Sequence, residues 1–179
     1  MLRQVVWDRV FDPVKRPGGP AVVQAKYEYR RRLPHLQKDC RPIFITFTTD
    51  HRWLLPPPAR DAVLENCLKQ NGSKFDLHTL VVMPDHVHLL LTPLLKADSS
   101  PCSLPEIMHA IKGTSARRIN LLLTRTGPVW QEEFFDHVLR SNESLAEKSH
   151  YICQNPVRAG PVRNESEYSW LWRGKLPVI

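Results

Sequence analysis

The chain has 179 residues, 42% of them hydrophobic and 24% charged, which suits one globular domain with an arm and a core that needs no staples. A formal charge of +7 favours a polyanionic partner, and no apolar run approaches the length of a membrane span. Cys40, Cys67, Cys102 and Cys153 are scattered without a C-x-x-C and read as free thiols of a reducing compartment, not as a zinc site or disulfide frame.

The first ten residues carry Arg3, Asp8 and Arg9 and no apolar stretch, so a cytosolic protein is expected. Residues 1–42 differ in composition from the rest and read as a basic arm. Lys15-Arg16-Pro17-Gly18-Gly19-Pro20 breaks regular structure, and Arg30, Arg31 and Arg32 follow Tyr27 and Tyr29. Those arginines are either a solvated run or contacts to phosphates, with the tyrosines available for stacking.

The domain proper, residues 43–179, opens with Ile43-Phe44-Ile45-Thr46-Phe47-Thr48-Thr49, rich in β-branched and aromatic residues and predicted to be a strand. Pro56-Pro57-Pro58 reads as a stop. Ala62, Leu64, Cys67 and Leu68 recur at helical spacing up to Asn71-Gly72. Two strands are predicted on either side of Pro84-Asp85. Proline cannot adopt the positive φ of a type I′ turn, so their connection should be wider than a two-residue hairpin. Ser103-Leu104-Pro105-Glu106 is a capping box that opens a helix running towards Gly127-Pro128, with Lys112, Arg117, Arg118 and Arg125 on a basic side. Phe134 to Leu139 suits a fourth strand. A last helix is expected from Ser141 or Asn142 to Ile152, ended by Pro156. The order β-α-β-β-α-β-α predicts a ferredoxin-like α+β fold, an antiparallel sheet backed by helices, with one further helix at the C-terminal side.

Side chains on a strand alternate, so His86 and His88 share one face, about 7 Å apart. They are either two surface histidines or two ligands of one cation that needs a third ligand. Tyr151 shares a helix face with residues three and four further on, Gln154 and Asn155. At about 100° per residue, Asn155 sits roughly 40° round the helix from Tyr151 and Gln154 roughly 60° the other way. On angle alone both could reach a common site. The alternative is that Tyr151 packs in the core and Asn155 caps the helix.

Three blocks together resemble the REP-associated tyrosine transposases, relatives of the IS200-type single-strand transposases in the HUH endonuclease superfamily. They are Val82-Met83-Pro84-Asp85-His86-Val87-His88, Val129-Trp130-Gln131-Glu132-Glu133-Phe134-Phe135-Asp136-His137 and Tyr151-Ile152-Cys153-Gln154-Asn155-Pro156-Val157-Arg158-Ala159-Gly160. Ile111-Lys112-Gly113 and Tyr29-Arg30-Arg31-Arg32-Leu33-Pro34 add to them, and the resemblance spans residues 29–172. It implies a bacterial, cytoplasmic endonuclease and strand transferase for single-stranded DNA hairpins. It implies Tyr151 as nucleophile, a 5′-phosphotyrosine intermediate, and His86, His88 and Asn155 as ligands of Mg²⁺ or Mn²⁺. Lys112, Arg117, Arg118 and the arginines of the arm are the candidate DNA contacts. Relatives occur as monomers that keep the tyrosine helix and as homodimers that exchange it, and both states are open here.

Other histidine-based phosphodiester chemistries fit less well. A histidine-triad hydrolase needs a third histidine where Leu90 stands. A 2H phosphodiesterase needs Ser or Thr where His88 stands. Rolling-circle initiators usually carry lysine at the position of Gln154. The rival of another class is a binding domain of the same fold that holds a nucleic-acid hairpin without cleaving it.

Overall fold

A computed structural model describes residues 40–140 and 143–176. The arm, with Arg30, Arg31 and Arg32, lies outside the described residues except for its last three positions.

The predicted first strand is β1, Ile43–Thr48. The proline run does more than stop it. Pro57 and Pro58 form the first turn of α1, Pro57–Gln70, where a missing N–H costs nothing. Asn71 closes α1, with its N–H donating to the Cys67 and Leu68 carbonyls. β2 (Phe75–Val82) and β3 (His86–Pro93) are joined by Met83-Pro84-Asp85, a connection wider than two residues, as Pro84 requires. The Met83 N–H donates to the His86 carbonyl at 2.8 Å and closes the turn.

The Ser103–Glu106 capping box is present and opens α2, Leu104–Met108. A π turn, His109–Gly113, then leads into α3, Thr114–Leu122. A π turn leaves carbonyls without their usual helical donors, and neighbours take them over here. Asn66 of α1 donates to the Ala110 and Ile111 carbonyls at 3.2 and 3.0 Å. The Ser115 hydroxyl donates to the Ile111 carbonyl at 2.6 Å. The helix ends at Leu122, short of the expected Gly127, because Thr124 and Gly127 take positive φ in the turn that follows. β4 is Phe135–Val138.

The next helix, α4, spans Leu145–Cys153 and is capped by Ser144, whose side chain accepts from the Glu147 N–H. Its start is therefore later than expected, and Ser141 and Asn142 lie outside the described residues. Pro156 interrupts the helical path instead of ending it. It occupies the first turn of α5, Asn155–Ala159, which closes at Gly160 in left-handed conformation, φ 89°. A fifth strand, β5 (Leu171–Arg173), was not predicted from the sequence.

The sheet order is β4-β1-β3-β2-β5 with every neighbouring pair antiparallel, and its first four strands have the ferredoxin-like order. Ile43, Ile45 and Phe47 of β1, with Val87, Leu89 and Leu91 of β3, face a core built with α1, α2 and α3. Val81, Met83 and Leu90 face the other way and are covered by Leu145 and Ile152 of α4 and by Tyr168. All four cysteines are unpaired, and burial pushes the Cys67 thiol up to about 12.

Trp130 shows how the second motif block is anchored. Its ring packs edge-on against Phe47, with centroids 4.8 Å apart, and its indole N–H donates to the buried Ser115 hydroxyl at 3.0 Å. Ser115→Ala strands that indole N–H in the core. We expect a loss of about 1–3 kcal/mol in unfolding free energy, read by urea denaturation, and an unchanged midpoint would show that the bond contributes nothing.

Candidate active site

β3 lies between β1 and β2, so both its edges are paired, and helices cover its two faces. With Val87 and Leu89 turned to the helix-backed core, His86 and His88 are turned to the face beneath α4. They are 4% and 3% exposed, which excludes the reading of two surface histidines. Their ring centroids are 4.8 Å apart.

Each imidazole is oriented by a different neighbour. His86 directs Nδ1 to the Asp85 carboxylate at 2.7 Å. The other oxygen of Asp85 accepts from Arg52 at 3.1 Å. Burial tends to raise the Asp85 carboxyl, but the hydrogen bond and charge of His86, with the Arg52 guanidinium, outweigh it and hold the group below its ordinary value. Arg52 and its neighbour His51 carry positive φ, 57° and 48°, uncommon for residues other than glycine. The Thr49 N–H and hydroxyl both donate to the Asp85 carbonyl, at 2.9 and 3.1 Å. Held this way, His86 presents Nε2 to the site. That atom is buried and has no hydrogen-bond partner among the described residues.

His88 meets Thr46, its Cα partner on β1, through Nδ1 and the hydroxyl at 2.7 Å. Burial, then His86 and Arg158, hold His88 well below its ordinary value, against the opposing influence of the Asn155 hydrogen bond and Asp85. The surroundings thus favour the neutral imidazole, the form that can offer a lone pair.

α4 is pinned to the sheet by Ser149, whose hydroxyl lies 2.6 Å from that of Thr79 on β2, and by Leu145 and Ile152. Tyr151 follows on its half-buried side, with ring centroids 6.3 Å from His88 and 6.1 Å from Phe44. Gln154 and Asn155 part company. The Gln154 amide donates to Glu165 at 2.6 Å, whereas the Asn155 amide donates to the Tyr151 carbonyl at 3.2 Å and lies near enough to His88 to favour its protonated form. Asn155 thus caps the helix end in the vicinity of His88. The structure brings His86, His88, Tyr151 and Asn155 together within one chain. Among the described residues no group of three His, Cys, Asp or Glu side chains could hold a metal, so a third ligand here has to be of another type, such as the Asn155 amide oxygen.

The basic helix side is placed apart. α2 and α3 back the opposite face of the sheet. The Lys112 ammonium donates to the Gln131 and Glu132 carbonyls at 2.7 and 2.8 Å, and burial lowers it despite Glu133 and Glu132 nearby. Arg118 pairs with Glu65. Arg117 is exposed.

Four residues around the histidines and tyrosine were not singled out from the sequence: Thr46, Arg52, Asp85 and Arg158. Thr46 was findable in principle from strand alternation, once β1 is paired with β3. Asp85 adjoins His86 in the motif. Arg52 gave no signal. Arg158 lies beyond the proline expected to end the helix.

The family model described as "Transposase IS200 like" matches residues 28–155. A REP-associated tyrosine transposase of Haemophilus influenzae is 26% identical over 93 residues, 49% of this chain and 53% of that protein. The ISDra2 transposase TnpA of Deinococcus radiodurans is 40% identical over 57 residues, 32% of this chain and 36% of that protein. The chain thus spans about half the length of the first relative and about a third of the second. The solved structure of a REP-associated tyrosine transposase bound to a REP hairpin superposes with a TM-score of 0.61 at 20% identity, over 85% of this chain and 94% of that one, and establishes the fold.

The Thr46–His88 contact can be tested without any ligand. Thr46→Val keeps the volume and removes the hydroxyl, leaving a buried ring nitrogen unpaired. Stability should fall by about 1–3 kcal/mol in chemical denaturation, and a variant as stable as the parent would show that the hydroxyl is dispensable to the fold.

Proposed function

The chain belongs to the IS200-like transposase family, and we propose that it is a metal-dependent endonuclease and strand transferase for single-stranded DNA that forms hairpins. The observation that carries this reading is the bare, buried Nε2 of His86, set beside the ring of His88, that of Tyr151 and the Asn155 amide at the helix end. Burying a polar atom unpaired is costly, and a cation is the partner that suits it.

His86, His88 and the amide oxygen of Asn155 would hold Mg²⁺ or Mn²⁺. When bound, the ion supplies charge against the scissile phosphate and orients the leaving oxygen. Imidazole ligands favour softer ions than Mg²⁺, so Mn²⁺ suits this set better. Asp85 and Thr46 fix the orientation of the two rings.

Tyr151 is the nucleophile. Its phenol oxygen bonds to phosphorus, and the phenolic proton passes to solvent. The bond from phosphorus to the preceding 3′-oxygen breaks. That oxygen leaves with the electron pair and takes up a proton as a free 3′-hydroxyl. The phosphodiester energy is kept in the 5′-phosphotyrosine, so joining to a new 3′-hydroxyl needs no ATP. Both halves of the site lie in one chain, which is what a monomer working in the bacterial cytoplasm requires. The hairpin as substrate is supported by the REP hairpin in the structurally similar transposase. Arg30, Arg31, Arg32 and Arg117 are our candidates for its phosphates. Lys112 and Arg118 are already engaged within the protein.

Two experiments test the reading. A covalent protein–DNA adduct on single-stranded hairpins should be abolished by Tyr151→Phe and survive changes at Tyr27, Tyr29 or Tyr168, with hairpin binding kept. Binding with no adduct from the parent protein would instead identify a non-cleaving hairpin binder. Asn155→Ala should raise the Mg²⁺ or Mn²⁺ concentration needed for cleavage, by about 10-fold or more, and Gln154→Ala should be milder. The reverse ranking would move the third ligand to Gln154.

A further inference from the structure

We propose that Arg158 binds the non-bridging oxygens of the scissile phosphate and carries part of the charge that develops there during attack, a role that rests on the reading of Tyr151 as nucleophile. Arg158 lies two helical turns beyond Tyr151. Its guanidinium carbon stands 4.2 Å from the centroid of the Tyr151 ring. One terminal nitrogen donates to the Tyr151 carbonyl at 3.1 Å. The Tyr151 ring in turn has its centroid 6.3 Å from that of His88. The cation therefore lies against Tyr151, on the ring that faces His88.

The side chain is exposed and has no ion-pair partner among the described residues. A guanidinium has five N–H donors in a rigid fork. The bond to the Tyr151 carbonyl occupies one of them and holds the plane in place, leaving the others for a ligand. Paired parallel donors match two oxygens of a phosphate, which a lysine ammonium matches only as a point charge. A phosphate within reach of the Tyr151 phenol is also within reach of this fork, because the guanidinium lies on that ring.

The test uses the hairpin sequence that the parent protein captures as adduct from a randomised pool of single-stranded DNA hairpins. It is made once with an ordinary phosphodiester at the cleaved linkage and once with a methylphosphonate, which removes the charge of a non-bridging oxygen. On the phosphodiester, Arg158→Ala should slow single-turnover adduct formation by about 100-fold or more, with hairpin binding unchanged within a few-fold. On the methylphosphonate, its deficit relative to the parent should shrink to a few-fold. Arg158→Lys should fall between the two on the phosphodiester, and Lys69→Ala, on α1 behind the other face of the sheet, should match the parent. An equal deficit on both linkages would reduce Arg158 to a support for the helix end, and no deficit on either would remove it from the site. An adduct that persists in Tyr151→Phe would overturn the underlying assignment of the nucleophile, separately from these outcomes.

Discussion

A strand with neighbours on both sides has two faces to cover, and β3 meets this demand with different chemistry on each. One face is aliphatic and rests on α1, α2 and α3. The other begins with two histidines and turns apolar only at Leu90. α4 covers the apolar part through Leu145 and Ile152, so the helix that completes this second core also delivers Tyr151 to the histidine end. Stability and site assembly are one packing event here. Loosening α4 would expose Val81 and Leu90 and separate the tyrosine from the histidines together.

The break between α4 and α5 organises the rest of the site. Helices end with carbonyls that lack intrahelical donors. At this end the Tyr151 carbonyl receives two side chains, Asn155 and Arg158. One backbone oxygen thus fixes an amide in the vicinity of His88 and a guanidinium that lies on the tyrosine ring. Pro156 makes this possible without unwinding the chain, because it sits in the opening turn of α5, where no amide hydrogen is required. The π turn between α2 and α3 shows the same economy: Asn66 and Ser115 take the carbonyls the irregular turn leaves over, and Ser115 also holds Trp130.

What was legible in the sequence follows from the range of the signal. Period-two alternation placed His86 and His88 together, and Pro84 gave the wide turn before them, because both are local properties. The capping box at Ser103 was equally local. Thr46 and Arg52 are brought to the histidines by β1–β3 pairing and by the Arg52–Asp85 contact, and neither leaves a trace in its own neighbourhood. Pro156 misled for a related reason: the rule that proline ends helices is sound, but the chain reuses the residue to begin another, and Arg158 was hidden behind it. β5 is three residues long and, among the described residues, pairs with β2 alone, too short for a periodic pattern to reveal.

Chain order adds a temporal consequence to the sheet order. β1 pairs with β4 across a long loop of sequence, and α4 and β5 come later still. During synthesis the strand bearing both histidines is made well before Tyr151 leaves the ribosome, and the interactions that seat α4 are non-local and slow to form. A chain interrupted between them has an uncovered apolar strand face and lacks Tyr151. Tyr151 is added after β1 to β4, so the strands on which α4 rests precede it in the chain.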